Sequence, residues 1–177
     1  MTWYTALVLL VGLERLAELV VSTRNARWSL AHGGREYARR QLPPMIALHV
    51  ALLIGCLLEA WLAGAFLPWL GYPMLALLVV ANALRWWCIS TLGRQWSVRV
   101  IVIPGAGAVR RGPYRWLRHP NYLAVALDGI ALPLVYAGWI TALAFTALNA
   151  VLLWGFRIPA EERALAQLHA DAVPDGA

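Results

Sequence analysis

The side chains best able to do chemistry cluster where a basic loop runs directly into an apolar segment, Gly112-Pro113-Tyr114-Arg115-Trp116-Leu117-Arg118-His119-Pro120-Asn121-Tyr122. Guanidiniums, an imidazole, an amide and aromatic rings at such a boundary suit the capture of a polar cofactor at a membrane surface. A loop that only joins two helices needs none of them. Further along, Arg157 precedes the carboxylate pair Glu161-Glu162. Pro159 places that pair in the first turn of a short helix, where the helix dipole favours acids. His49 and Asp128 lie inside apolar runs without a local partner, and each can accept a proton.

The elements that must position these groups follow from composition. The chain has 177 residues, 61% hydrophobic and 14% charged, with a mean hydropathy of +0.62. Soluble domains are about half apolar and about a quarter charged, so this composition describes a membrane protein. A bilayer core about 30 Å thick needs roughly 20 helical residues. Apolar runs at Thr2–Val21, Leu42–Trp61, Phe66–Ile89, Tyr122–Ala137 and Trp139–Phe156 then predict an all-α integral membrane bundle. It has about five transmembrane helices, a cytoplasmic cofactor-binding loop and a short C-terminal helix, in a single domain over 1–177. Pro43-Pro44 suits the start of the second helix, Pro133 predicts a kink in the fourth, and Gly138 a tight turn before the fifth.

All fifteen basic residues are arginine. Loop 22–41 holds Arg24, Arg27, Arg35, Arg39 and Arg40; loop 90–121 holds Arg94, Arg99, Arg110, Arg111, Arg115 and Arg118; the connections at 62–65 and near 138 hold none. Arginine-rich loops stay cytoplasmic, which predicts the N-terminus outside and the C-terminus inside a bacterial inner membrane. The same rule accounts for the positive charge without nucleic acid, for which no basic folded scaffold exists. The N-terminal apolar run lacks a basic leader and carries Glu14, Arg15 and Glu18, unlike a cleaved signal peptide. Cys56 and Cys88 lie in apolar runs without metal-ligand spacing and read as reduced core residues.

Glu14, Arg15, Glu18, His49, Asn82, Arg85 and Asp128 fall at one depth, roughly 5–11 Å below the cytoplasmic boundary at the helical rise. Intramembrane charges are expensive and either pair or serve a site. A polar cavity opening to the cytoplasm beneath loop 90–121 is therefore expected. Glu59 alone belongs to the other end. Val98–Ile103 followed by Pro104-Gly105-Ala106-Gly107 imitates a strand and a dinucleotide-binding turn, but Arg110 replaces the third glycine and no second strand follows, so no Rossmann unit is expected.

The run Gly112-Pro113-Tyr114, then Arg118-His119-Pro120-Asn121-Tyr122, then Arg157 and Glu161-Glu162 resembles the integral-membrane methyltransferases. These include isoprenylcysteine carboxyl methyltransferases and phospholipid N-methyltransferases. Glu14-Arg15-Leu16-Ala17-Glu18-Leu19, Ser22, Arg24-Asn25, Trp28, Gly33-Gly34, Glu36-Tyr37 and His49 are similar to a bacterial subgroup that O-methylates alkylpyrones or alkyl phenolics.

The resemblance implies S-adenosylmethionine as cofactor, with His119, Pro120, Tyr122, Glu161 and Glu162 lining its pocket. Tyr114 and Arg157 complete the expected set. Arg118 supplies a cation for the cofactor carboxylate. If the acceptor is an enol or phenol, Glu161, Asp128 or His49 takes its proton, or it arrives already ionised. The implied partners are a lipophilic small molecule and membrane lipids; a metal is not called for, and oligomeric state is open. The chain lacks the aromatic-rich continuation past Glu-Glu of the carboxyl methyltransferases, running instead to Asp171–Ala177, which disfavours a prenylcysteine acceptor. Alternatives are phospholipid N-methylation, prenylcysteine carboxyl methylation, hydride transfer from NADPH by a sterol-type reductase with a similar Arg-His-Pro-Asn-Tyr run, and a small non-enzymatic carrier.

Overall fold

The computed structural model describes residues 1–107 and 109–171; the end of the chain discussed above, 172–177, lies outside the described residues. Five principal helices carry the fold: α1 Thr2–Ala31, α2 Leu42–Leu62, α3 Pro68–Leu92, α4 Pro120–Leu134 and α5 Trp139–Leu152, with a terminal α6 at Ile158–Asp171. Prolines stand at the first or second helical position of α2, α3 and α4, where a missing amide donor costs little.

Three stretches are long and apolar enough to cross a bilayer: Arg39–Leu62, Pro68–Gln95 and Trp139–Ala164. The other two helices fall short for different reasons. α1 carries Glu14, Arg15 and Glu18, and α4 has 15 residues, about 22 Å at the helical rise. Exposed Leu9, Leu10, Leu13, Ile54, Leu58, Val79, Val80 and Leu143 give the bundle an apolar exterior suited to lipid.

The core joins Tyr4, Val8 and Val11 of α1 to Leu52 and Cys56 of α2, Leu78 of α3, Val125 and Leu132 of α4 and Phe145 of α5. Gly129 lets α5 close on α4: a Cβ there would lie 2.0 Å from the Phe145 ring. Pro133 lies in the last turn of α4, one residue before the helix ends. Without the proline amide the last turn loosens, and the Tyr4 hydroxyl donates to the Leu132 carbonyl at 3.0 Å. In the following turn the left-handed residue is Ala137, at φ 53°, and not Gly138. Glu59 reaches from α2 to the start of α5, accepting from the amides of Ile140 (3.0 Å) and Thr141 (2.8 Å) and from the Thr141 hydroxyl (2.7 Å). It thus satisfies donors that a helix start leaves unpaired.

Three features correct or extend the sequence reading. α1 continues ten residues past Val21, to Ala31. The fold is not purely helical: β1, Arg35–Tyr37, pairs antiparallel with β2, Val100–Val102, in the register Arg35↔Val102, Glu36↔Ile101, Tyr37↔Val100. The strand-like run is thus a real strand whose partner precedes it. Finally, α6, the expected short C-terminal helix, is continuous with α5. A wide π-type turn at Leu153–Arg157 fuses it to α5, next to Pro159, which cannot donate to the Gly155 carbonyl.

Candidate active site

The polar loop between α3 and α4 is held from both ends. Along the C-terminal extension of α1, Ser22, Asn25 and Ser29 form one stripe. The Ser22 hydroxyl accepts from the Val98 amide at 3.0 Å, and Asn25 Nδ2 donates to the carbonyls of Gly93 (3.0 Å) and Trp96 (2.9 Å). Arg99 pairs with Glu36 of β1 at 3.5 Å, and Arg94 lies over the Trp28 ring. At the other end, Gly112 adopts φ 55° with its α-carbon so close to α3 that a Cβ would meet Thr91 Oγ1 at 2.5 Å. Only glycine fits both demands. Tyr114 then turns inward; burial first, and the neighbouring Cys88 thiol second, push its phenol above the usual range, so it stays a neutral hydrogen-bonding group.

Beneath this roof lies a cavity of about 1120 Å³, ample against the roughly 300–1,000 Å³ of small-molecule sites. Its end nearest the loop is lined by β2, Gly105 to Gly107, Tyr114, Arg118, His119, Asn121, Tyr122, Arg157 and Glu161. Tyr122 donates to Glu161 Oε2 at 2.5 Å and accepts from Arg157 Nε at 3.2 Å. Arg157, 5% exposed, also donates to the Val98 carbonyl, tying the roof to the tail helix. The His119 ring stacks on Tyr122 at 5.4 Å between centroids, with Nδ1 3.8 Å from Glu161 Oε2 and Nε2 4.0 Å from Glu162 Oε1.

His119, Tyr122, Arg157 and Glu161, predicted as one set, converge around the cavity. Arg118 lines it too, although its side chain is exposed. Glu162 points away, 58% exposed, and Pro120 is buried at the start of α4 without lining the cavity. Asn121 was not singled out as a ligand by the sequence, yet its Oδ1 is buried at the cavity wall without a hydrogen-bond partner among the described residues. An amide acceptor with no local use was its only signal.

The deeper polar layer assembles as expected. Arg15 reaches Glu14 and Glu18 (both 3.1 Å), Asp128 (3.5 Å) and Asn82 (2.7 Å). Arg85 pairs with Asp128 and with Glu18 (3.5 Å), and the Trp86 indole donates to Glu14 at 2.6 Å. Asp128 is therefore clamped by two guanidiniums and does not line the large cavity. Both ion pairs use Oδ2, while Oδ1 is buried without a hydrogen-bond partner among the described residues.

His49 lines the cavity beside Arg15, Glu18 and Arg85. Its Nδ1 lies 2.8 Å from the Met45 carbonyl. A carbonyl can only accept, so the proton sits on Nδ1 and the lone pair on Nε2. Below this layer the walls are Leu9, Leu13, Val50, Leu53, Ile54 and Leu57, an apolar slot between α1 and α2.

Residues 74–167 match the model of the isoprenylcysteine carboxyl methyltransferase family, a span that contains His119, Tyr122, Arg157 and Glu161. The chain belongs to that family. Family membership and the three apolar helices make it a membrane methyltransferase. Among relatives, a Bacillus subtilis protein of uncharacterised function, YpbQ, is 33% identical over 167 residues, covering 93% of this chain and 96% of the relative. An uncharacterised Haemophilus influenzae protein is 28% identical over 87% of this chain and 90% of its own length. The Arabidopsis thaliana protein-S-isoprenylcysteine O-methyltransferase A is 30% identical over 56% of this chain and 51% of the relative.

Proposed function

We propose that this chain is an S-adenosylmethionine-dependent O-methyltransferase acting on a lipophilic hydroxyl compound, such as an alkylpyrone or alkyl phenolic. One observation carries this reading: a single cavity joins the His119–Tyr122–Arg157–Glu161 cluster to an apolar slot. Enzymes of the family generally use S-adenosylmethionine. The residues present fit such a zwitterionic, aromatic cofactor, since Glu161 Oε1 has no hydrogen bond among the described residues and Asn121 Oδ1 is an unused acceptor.

When bound, the cofactor supplies a sulfonium methyl; its C–S bond breaks as the acceptor's O–CH₃ bond forms, leaving a neutral thioether. The chain supplies position and a dry enclosure, which can account for several kcal/mol of the barrier. Glu161 takes the ammonium, Arg118 and His119 the carboxylate end, and Tyr114 and Tyr122 the aromatic walls. Arg157 acts through Tyr122, holding the phenol against Glu161. His49 Nε2 receives the acceptor's proton, because Asp128 is doubly ion-paired and Glu161 is already engaged by Tyr122.

In this reading α1 and α4 also cross the membrane, giving five crossings with the N-terminus outside and the cavity mouth facing the bacterial cytoplasm. The charges of α1 and α4 meet inside the bundle, as intramembrane ions do. The test is calorimetry of S-adenosylmethionine on the purified chain in nanodiscs, together with labelled methyl transfer to 4-hydroxy-6-alkylpyrones and alkyl phenols. Binding and labelled product are expected; both should fall at least tenfold in His119→Ala and Glu161→Gln. Labelled phosphatidyl amines or prenylcysteine esters in place of ethers would replace this acceptor with one of those.

A further inference from the structure

We infer that the polar layer at mid-cavity, Arg15, Glu18, Arg85 and His49, is an acceptor-head subsite that selects an uncharged hydroxyl head over a carboxylate or an ammonium. The inference rests on the methyltransferase reading and sharpens it to a charge class. All four side chains line the large cavity. Along α4 they lie level with Asp128, about 9 Å deeper than Tyr122 at the helical rise, which leaves the cytoplasmic end for the cofactor. The apolar slot for a tail begins directly below, at Leu13 and Leu53.

Charge decides the class of head. The connected layer holds two guanidiniums, Arg15 and Arg85, against three carboxylates, Glu14, Glu18 and Asp128. One negative charge is in excess. An incoming carboxylate or phosphate must compete with three carboxylates already bound to both guanidiniums, in surroundings where Glu18 is 5% and Arg85 4% exposed. An ammonium is opposed as well: Asp128 and Glu14 do not line the cavity, so a cation meets two guanidiniums, Arg15 and Arg85, against the single carboxylate of Glu18, which both already engage. An uncharged hydroxyl meets neither obstacle. It can donate to His49 Nε2, the one ring nitrogen that the Met45 carbonyl leaves free, while a neighbouring carbonyl faces the guanidiniums.

The experiment uses the full chain in nanodiscs without cofactor and three ligands of one tail length: 4-dodecylphenol, dodecanoate and dodecylamine, each corrected for binding to empty discs. Calorimetry should give the phenol at least tenfold tighter binding than either charged ligand. Glu18→Gln removes the excess charge at the cavity face, and Glu14→Gln removes it from the periphery should the first variant fail to fold. Either should raise dodecanoate affinity at least tenfold relative to the phenol. The inference is overturned if dodecanoate or dodecylamine binds as tightly as the phenol in the unmodified chain. It is equally overturned if no folded Gln variant moves the ratio. S-adenosylmethionine binding in the same samples separates the two readings: its loss refutes the methyl-donor assignment, whereas a reversed head preference with the cofactor still bound refutes only this one.

Discussion

The two polar clusters of the bundle use similar side chains to opposite ends. In the deep layer the charges are closely paired: Arg15 touches three carboxylates and an amide, and Arg85 bridges Glu18 to Asp128. In the loop-side cluster the contacts are looser, with His119 at 3.8 and 4.0 Å from its carboxylates and Glu161 bound through one oxygen. The deep layer ties α1, α3 and α4 together by ion pairs while turning one face to the cavity, whereas the loop-side cluster is joined by few direct contacts. The same residue types therefore read as frame or as site according to how tightly they pair with one another.

The sharpest way to break this contrast is to remove a frame guanidinium. Arg85→Ala leaves Asp128 and Glu18 buried beside a single cation, a loss of about 3–5 kcal/mol typical of half-removed buried pairs. Thermal unfolding in detergent should show it as a large drop in Tm. The matching change in the site, Glu161→Gln, should cost about 1.5–3 kcal/mol of cofactor affinity, the range of a hydrogen bond to a charged group. Calorimetry would record that as a roughly tenfold to hundredfold weaker Kd, with Tm nearly unmoved. If instead Tm falls and affinity holds, frame and site have been assigned the wrong way round.

A milder test lies between the two clusters. Asn25→Ala removes two hydrogen bonds to the roof, about 1–2 kcal/mol, and should speed hydrogen exchange in residues 93–98 before it alters the helices. The smallest effect is expected at the far end of the bundle. Glu59→Gln keeps an acceptor over the start of α5 but drops its charge, and should cost under about 1 kcal/mol of the capping interaction, measured as a slight fall in Tm without change in cofactor binding.

The helices and the deep layer were legible because their signals are local. An apolar run of twenty residues announces itself, and Glu14, Arg15, Glu18, Arg85 and Asp128 stand out against it. The members of the loop-side cluster were legible as residue types beside an apolar boundary, although their mutual contacts were not. What escaped the sequence has a common cause. β1 and β2 are three residues each and pair across more than sixty positions, so neither carries a period long enough to register. The extension of α1 past Val21 is polar, and its stripe Ser22, Asn25, Ser29 looks like a solvated face until the loop it grips is placed. Asp128 looked isolated because both of its partners come from other helices. The wide turn at Leu153–Arg157 leaves no mark in residue type beyond a glycine and a nearby proline.

The bond between Arg157 and the Val98 carbonyl joins segments made at very different moments on the ribosome. Ser22 of α1 already holds the Val98 amide, but the carbonyl of the same residue gains its anchor only once the last helix has emerged. Synthesis halted before residue 157 should therefore yield an inserted, protease-resistant bundle that fails to retain the cofactor, so that assembly of the scaffold and acquisition of catalytic competence become separable events in time.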